Sequence, residues 1–587
     1  MNKLEALREI TTKHQLAVLL GVKATTLTYV LYVLNPSTQY TSFTIPKKSG
    51  GDRTILAPSN LLKFIQSSLS NLLQDCIDEI NKAKYVDGRF TSKLSHGFVR
   101  NRSIMTNAMM HLNQKNVLNI DLKDFFDSFN FGRVRGFFIA NNHFKLNSHI
   151  ATVIAQIACY DNKLPQGSPC SPVITNLITH SLDIRLASLA KQHSCTYSRY
   201  ADDITFSSRE ATFPKKIMLE TIDEYIAGKK LKSEIRRAGF EMNQEKTRIQ
   251  YKDSRQDVTG LVVNKKPNVK KEYWRTVKAQ CHYLFHTGEF LDGDEEGNID
   301  MLEGRLNFID QIDRYNRQRQ QAPLNPLYKL DSHGINTIAV LSGREKTFRR
   351  FLYYRLFYGN TKPTILCEGK TDNVYLKSAI SKLVSAYPKL ATPKVNDTPH
   401  RLLVRFLNYT ERTRFLLQLY GGTSYLNYFI SSYYKHYKFY KAPKPKHPVL
   451  IVLDNDSGFK GKKDSGIDGK LKKIDSAKAY PATLSKHDFR GADFIHVIHN
   501  LYIVLTPLGD KGQETAIEDL FDAVTRQIQV SGKSFNPKED KDNEKEYGKE
   551  VFANKVINAQ KSTINFDGLK PLLDRIVKAI EHYDAIK

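Results

Sequence analysis

Cysteine is scarce in this chain: there are six among 587 residues, Cys76, Cys159, Cys170, Cys195, Cys281 and Cys367, with no CxxC pair. Such scattered thiols fit a reducing cytosol rather than a disulfide framework or a zinc site. Long apolar runs are also missing. No stretch of about 20 apolar residues is present to span a bilayer. The opening MNKLEALREITTKHQLAVLLGV lacks the uninterrupted apolar core of a signal peptide, and its apolar residues recur at helical spacing instead. A soluble, cytoplasmic protein with no membrane partner is the expectation. Acidic residues are in deficit, 61 against 88 Lys and Arg, leaving a net charge of +27 and a pI near 9.5. An excess of that size points to a polyanionic partner.

The length predicts two or three domains, and no internal repeat is visible. Thirty tyrosines and 31 phenylalanines are interleaved with the basic residues. Most belong to cores, and rings beside cations can also stack on unpaired bases. The most informative stretch is Tyr200-Ala201-Asp202-Asp203. Its flanks, Cys195 to Tyr200 and Ile204 to Ser208, are rich in aromatic and β-branched residues, as paired strands are. Two adjacent acids at a hairpin tip concentrate negative charge that oxygen-coordinated Mg²⁺ would relieve, although Asp is also common in plain β-turns.

Upstream, Asn116 to Leu122 (NVLNIDL) reads as a buried strand holding Asp121. A lone carboxylate there is costly without a partner or an ion. Asp121, Asp202 and Asp203 together would hold two Mg²⁺ ions, the arrangement that serves in-line phosphoryl displacement. Between them lies Leu164-Pro165-Gln166-Gly167-Ser168-Pro169, a stiff turn whose Gln166 can hydrogen-bond a nucleotide or template base.

The order Asp121, LPQGSP, YADD resembles the palm of reverse transcriptases, and the surroundings resemble the retron-encoded branch. Gly51-Asp52-Arg53-Thr54-Ile55 with Pro58, Leu62 and Gln66 is similar to the fingers pattern, followed by Ser95-His96-Gly97-Phe98 and Arg102-Ser103-Ile104. Asn107-Ala108-Met109-Met110-His111 resembles the NAxxH element, and Val258-Thr259-Gly260-Leu261 the VTG element. The resemblance covers roughly the first 315 residues. It implies that Asp121, Asp202 and Asp203 are catalytic metal ligands and that Phe126 is a steric gate against the ribose 2′-hydroxyl. It further implies that Arg53 (with Lys47 and Lys48 nearby) meets the incoming triphosphate, that Gln166 contacts substrate, and that Lys246 assists pyrophosphate departure. Asn107, His111, Val258, Thr259 and Gly260 are implied to recognise a structured RNA. Each also has a plain reading: Phe126 as a core ring, Arg53 and Lys246 as surface cations, His111 as a structural histidine paired i, i+4 with Asn107.

A second acidic constellation begins at a short apolar strand, Thr364 to Cys367, ending in Glu368-Gly369-Lys370-Thr371-Asp372. A stronger strand, Val449 to Leu453, ends in Asp454-Asn455-Asp456. Residues i and i+2 on an extended chain share a face, and ligands gather beyond the carboxyl ends of strands in α/β sheets. The pair of motifs resembles a TOPRIM domain, with Gly421-Gly422-Thr423 as its glycine turn. Ile517-Glu518-Asp519-Leu520 resembles the extra acidic element of overcoming-lysogenization-defect nucleases. The resemblance implies that Glu368, Asp454 and Asp456 are catalytic metal ligands, with Glu518 completing a second metal site. Lys549 or Lys555 would neutralise phosphate, and spacing does not choose between them.

The expected fold is an α+β right-hand polymerase of fingers, palm and helical thumb, followed by an α/β TOPRIM domain with a mainly parallel sheet. Residues 1–250 are read as fingers and palm, and 251–316 as a thumb-like region with a Val258–Val263 strand and the only tryptophan, Trp274. Residues 317–360 are read as linker and bridging helix, and 361–587 as the TOPRIM nuclease-like domain. The resemblance implies an RNA-directed DNA polymerase with two Mg²⁺ ions, plus one or two Mg²⁺ ions in the TOPRIM site. Its implied partners are deoxynucleotides, a cognate structured non-coding RNA and the branched RNA-linked DNA (msDNA) made from it, with self-association left open. Anti-phage defence is the role the resemblance suggests. Another retroelement enzyme, or a TOPRIM part that only binds nucleic acid, are the competing readings.

Overall fold

The computed structural model describes residues 2–34, 36–46, 50–84, 94–220, 225–319, 341–394, 400–461, 466–485, 488–538 and 542–587. Lys47 and Lys48 lie outside them, as do residues 320–340 of the expected linker and bridging helix; the preceding residues to Arg319 are helical. The chain forms two units, Met1–Lys271 with Ile312–Arg317, and Glu272–Gln311 with Gln318–Lys587.

In the first unit, the hairpin of β1 (Tyr40–Pro46) and β2 (Asp52–Pro58) pairs in antiparallel register, Phe43 opposite Ile55 and Ile45 opposite Arg53. It is followed by the long helix α1 (Asn60–Lys84) and the short α2 (Ile104–Met110). Then comes β3 (Asn116–Leu122), nearly all buried, as a strand covered on both faces must be. Helices α3 (Phe131–Ala140) and α4 (Ser148–Ala158) are each started by an asparagine cap, Asn130 and Asn147. Helix α5 (Ser171–Gln192) has Pro172 in its first turn, where the missing N–H costs nothing. Strands β4 (Cys195–Tyr200), β5 (Asp203–Ser208) and β6 (Met242–Tyr251) complete a four-stranded antiparallel sheet in the order β4-β5-β3-β6. Its apolar side chains form one core with α1, α3, α4 and α5. The expected Val258–Val263 strand is instead a tight hairpin, β7 (Asp257–Val258) and β8 (Leu261–Val262). Thr259 and Gly260 sit at φ 47° and 81°, a left-handed turn that breaks a continuous strand.

In the second unit, α6 (Lys271–Thr287) and α7 (Ile299–Arg319) pack with the C-terminal residues. Phe285 of α6 meets Tyr354, Phe439 and Tyr440, and Arg412 pairs with Asp310 of α7. Helix α8 (Gly343–Tyr353) opens with a Ser342–Glu345 capping box. The sheet comprises β9 (Thr364–Cys367), β10 (Arg405–Phe406), β11 (Val449–Leu453), β12 (Lys478–Tyr480), β13 (Phe494–Ile498) and β14 (Leu501–Leu505), in the order β10-β9-β11-β14-β13-β12. The β10, β9, β11 and β14 strands run parallel, whereas β13 and β12 turn antiparallel at one edge. Burying all five side chains of β11 contributes about 1.5–3 kcal/mol each. Helices α9 (Asp372–Lys382), α10 (Thr423–Tyr437) and α11 (Lys570–Ile586) complete the unit.

Candidate active sites

In the first unit, the β3–β5 register sets Asp121 directly opposite Asp203. Opposed residues in an antiparallel pair hold their Cβ atoms about 4.5–5.5 Å apart. The Leu122 amide donates to the Asp202 carbonyl at 3.1 Å, which clamps the YADD turn onto the strand carrying Asp121. Asp121 is 9% exposed. Burial, then repulsion from Asp202 and Asp121, raises Asp203 to about 7. Its carboxylate still opens to solvent at the tip, so water screens part of that effect. Asp202 is also raised, first by burial and then by Asp121. Lys246 Nζ stands 3.3 Å from each Asp121 oxygen and partly offsets the charge.

The turn is held from beneath. Ala201 adopts φ 56°, and its carbonyl accepts from Arg199 Nη1 at 2.9 Å. Arg199 is fully buried in a two-bond pair with Asp183 of α5 (Nε–Oδ1 2.7 Å, Nη2–Oδ2 2.8 Å), and Tyr197 OH donates to the same carboxylate. A Cβ on Gly97 would lie 2.5 Å from the Ala201 nitrogen, so only glycine permits this approach. No local sequence pattern announced Asp183, Arg199 or Gly97 as supports.

The other expected residues fall into two groups. Arg53 is exposed on β2 and acts electrostatically on Asp202. Gln166 is half-buried, and its carbonyl accepts from the Leu56 amide at 2.8 Å, tying the LPQGSP turn to β2. Phe126 is half-buried edge-on to Phe125. By contrast, Asn107, His111 and Val258, expected as RNA contacts, are all 0% exposed in the protein alone. His111 bonds Ser207 through Nδ1 and Ser198 through Nε2, both at 2.7 Å, and Ser198 donates to Asn107 Oδ1. Burial pushes the imidazole down to about 3, so it stays neutral. Thr259 Oγ1 donates to the Ile104 carbonyl, which docks the VTG turn on α2. Only Gly260 of that turn is exposed.

In the second unit, Glu368 and Asp454 follow the adjacent parallel strands β9 and β11. The Asp454 amide donates to Glu368 Oε2 at 3.4 Å, and Thr423 Oγ1 donates to Glu368 Oε1 at 2.7 Å. Gly421, at φ 84°, would place a Cβ 2.6 Å from the Glu368 carbonyl, and the Gly422 amide donates to that same oxygen. Asp454 Oδ1 accepts from the Ile517 amide at 2.9 Å, and Asp456 Oδ1 accepts from the Gly458 amide at 2.8 Å. Glu518 is 2% exposed, with Oε2 on Lys549 Nζ at 3.1 Å and Oε1 without a partner among the described residues. This geometry singles out Lys549 over Lys555, which is exposed. Asp372, 6% exposed and bonded to the Gly369 amide, joins the cluster electrostatically. The EGKTD spacing held that signal. Burial, followed by Asp372, Glu368 and Glu518, raises Asp454 to about 8. Burial also raises Glu368, Asp372 and Glu518.

Among the described residues, no three His, Cys, Asp or Glu side chains form a ready-made metal cage. The donor sets nevertheless fit a hard cation: both are carboxylate oxygens, Asp203 and Asp454 are raised by burial first and then by neighbouring acids, and Glu518 keeps an orphaned buried oxygen among the described residues. Among the described residues no single helix is long and apolar enough to cross a membrane.

The family model described as reverse transcriptase (RNA-dependent DNA polymerase) matches residues 45–286, which gives this region the reverse transcriptase fold. The retron Mx65 reverse transcriptase of Myxococcus xanthus is 33% identical over 304 residues, 48% of this chain and 64% of that protein. The retron Ec86 reverse transcriptase of Escherichia coli is 31% identical over 319 residues, 54% of this chain and 89% of that protein. A telomerase structure from Candida albicans aligns over 54% of this chain and 64% of that one at 10% identity and TM-score 0.30, a likeness too distant to carry weight. The chain belongs to the retron reverse transcriptase family, and it spans a little under two thirds of the length of the Mx65 relative.

Proposed function

We propose that the first unit is an RNA-directed DNA polymerase that copies a cognate structured non-coding RNA into branched, RNA-linked single-stranded DNA. The observation that carries this reading is the register that sets Asp121 opposite Asp203 with Asp202 beside it. Two Mg²⁺ ions bound there would activate the primer hydroxyl and stabilise the leaving pyrophosphate. Asp121, Asp202 and Asp203 would hold them, and Lys246, already beside Asp121, would offset charge on the departing group. Arg53 would orient the triphosphate, Phe126 would crowd a ribose 2′-hydroxyl, and Gln166 would contact the nucleotide or template. Priming would come from a 2′-hydroxyl of a guanosine in the RNA. Residues 251–316 are proposed as the thumb-like region, and the cytoplasm as the location. Primer extension on an RNA template tests the reading: Asp202→Asn with Asp203→Asn abolishes it, and extension at the parent rate would refute the assignment.

The second unit is proposed as a TOPRIM-type, Mg²⁺-dependent nuclease effector, the toxic arm of anti-phage defence. The supporting observation is the convergence of Glu368, Asp372, Asp454 and Glu518 beyond the carboxyl ends of parallel strands, with Lys549 beside them. Asp456 would share in holding metal through its second oxygen. Glu368→Ala removes metal-dependent cleavage while primer extension persists; cleavage equal to the parent's would overturn the nuclease reading.

A further inference from the structure

A second electrostatic feature of the C-terminal unit has no part in the acidic centre. An open cleft of about 510 Å³ is lined by Lys362, Lys377, His400, Arg401, Lys561 and Ser381, and by no Asp or Glu among the described residues. Its cations come from separate elements: the entry to β9, the middle of α9, the residues before β10, and the segment preceding α11. Several are fixed in place. Lys362 Nζ donates to the Leu402 carbonyl at 2.6 Å, and the Lys377 ammonium lies 5.4 Å from the centre of the Phe406 ring. Burial, then Arg401 and Arg405, lowers Lys362, the mark of cations gathered without counter-charge. Lys362 and Glu368 flank opposite ends of β9, about 20 Å apart along an extended chain, while Lys377 follows Asp372 by less than a turn and a half of α9.

We infer that this cleft binds the phosphate backbone of a nucleic-acid strand. Fixed cations without carboxylates favour a polyanion, and Ser381 supplies a neutral donor suited to phosphate oxygens. The cleft is open rather than enclosing, which suits a polymer laid across it. Its described lining has no Phe, Tyr or Trp, and cations that meet phosphates carry no sequence information, so binding is independent of sequence. The inference stands apart from the nuclease reading, because it uses none of the acids and needs no cleavage.

The test uses the full chain and a labelled mixed-sequence single-stranded DNA, comparing the parent with Lys377→Ala/Arg401→Ala/Lys561→Ala. Each phosphate contact on a single strand contributes about 0.7 to the slope of log affinity against log salt. Losing three contacts makes the parent-to-variant affinity ratio shrink about 15- to 20-fold between about 50 and 200 mM salt. Lys377→Arg/Lys561→Arg keeps the parent slope, and primer extension by the alanine variant stays within twofold of the parent (about 0.4 kcal/mol). An alanine variant with the parent's affinity and slope overturns the inference. So does one that loses only binding of labelled ATP, which would make the cleft a nucleotide site.

Discussion

Removing the Asp183 carboxylate tests how the YADD turn is held. Arg199 and Asp183 are 0% and 1% exposed and share two short bonds. Asp183→Leu leaves a buried guanidinium unpaired and takes the acceptor from Tyr197 OH, a loss of about 3–5 kcal/mol. Adding Arg199→Met removes the stranded charge. A buried pair replaced by apolar groups of similar size is often neutral or better, so the double variant recovers most of the stability. It does not recover the bond from Arg199 Nη1 to the Ala201 carbonyl, a charged hydrogen bond contributing about 1.5–3 kcal/mol. If that contribution holds the turn in its productive form, primer extension stays about ten- to a hundredfold slow in the double variant. Amide exchange across β4 and β5, read by mass spectrometry, reports local stability separately from activity. Two results refute the reasoning: a double variant as unstable as the summed singles, or one that extends primers at the parent rate.

His111→Leu orphans the Ser207 hydroxyl, at about 1–3 kcal/mol, while Ser198 keeps its bond to Asn107; amide protection of β4 and β5 falls, while affinity of the folded protein for its RNA does not, and an RNA-specific loss would support the contact role. Lys549→Met slows metal-dependent cleavage about tenfold or more, as loss of a charged hydrogen bond to Glu518 requires, whereas Lys555→Met leaves it within twofold of the parent (about 0.4 kcal/mol); equal effects in a cleavage assay would remove the distinction. The pH dependence follows from Asp203 at about 7 and Asp454 at about 8. Both are raised, so the metal-free folded state holds protons that the unfolded chain has released; its stability falls as pH rises from the ordinary carboxylate range through 7 and 8. Metal must displace those protons, so Mg²⁺ affinity measured by calorimetry weakens as pH falls through the same window, with about one proton released per site; affinity flat from pH 6 to 9 would contradict the burial-and-repulsion account.

The clustered acids were legible because they follow a local pattern: acids at strand ends, beside residues that can only be buried strand. Asp121 and Asp203 needed nothing more than the register of two apolar strands. Their supports were not legible, since Asp183 and Arg199 lie on a helix and a strand that meet only after folding. The burial of Asn107 and His111 was hidden for a related reason. Spacing fixed their common helix face but not which way that face turns, and β4 and β5 cover it. Thr259 hid the β7–β8 hairpin because a β-branched residue at positive φ runs against local preference. The grouping of α6 with the C-terminal unit rests on Phe285 meeting rings more than 60 residues away, which no local signal encodes.

Both acidic centres share an imbalance that constrains what they do. In the first, three carboxylates have Lys246 as the one ammonium in contact, with Arg53 and Arg248 acting from farther off; in the second, Glu368, Asp372, Asp454 and Glu518 face Lys549. One ammonium cannot neutralise either group, and burial limits how far water can do so. The protein alone can relieve the excess only by keeping protons, hence the raised Asp203 and Asp454. A divalent cation relieves it without them, leaving the carboxylates charged, and the strand registers that create the strain also keep it from relaxing. Were these acids merely structural, replacing Asp203 or Asp454 by asparagine would stabilise the metal-free protein and cost no activity. If the strain is built for a cation, the same replacements stabilise the metal-free fold and abolish Mg²⁺-dependent turnover together.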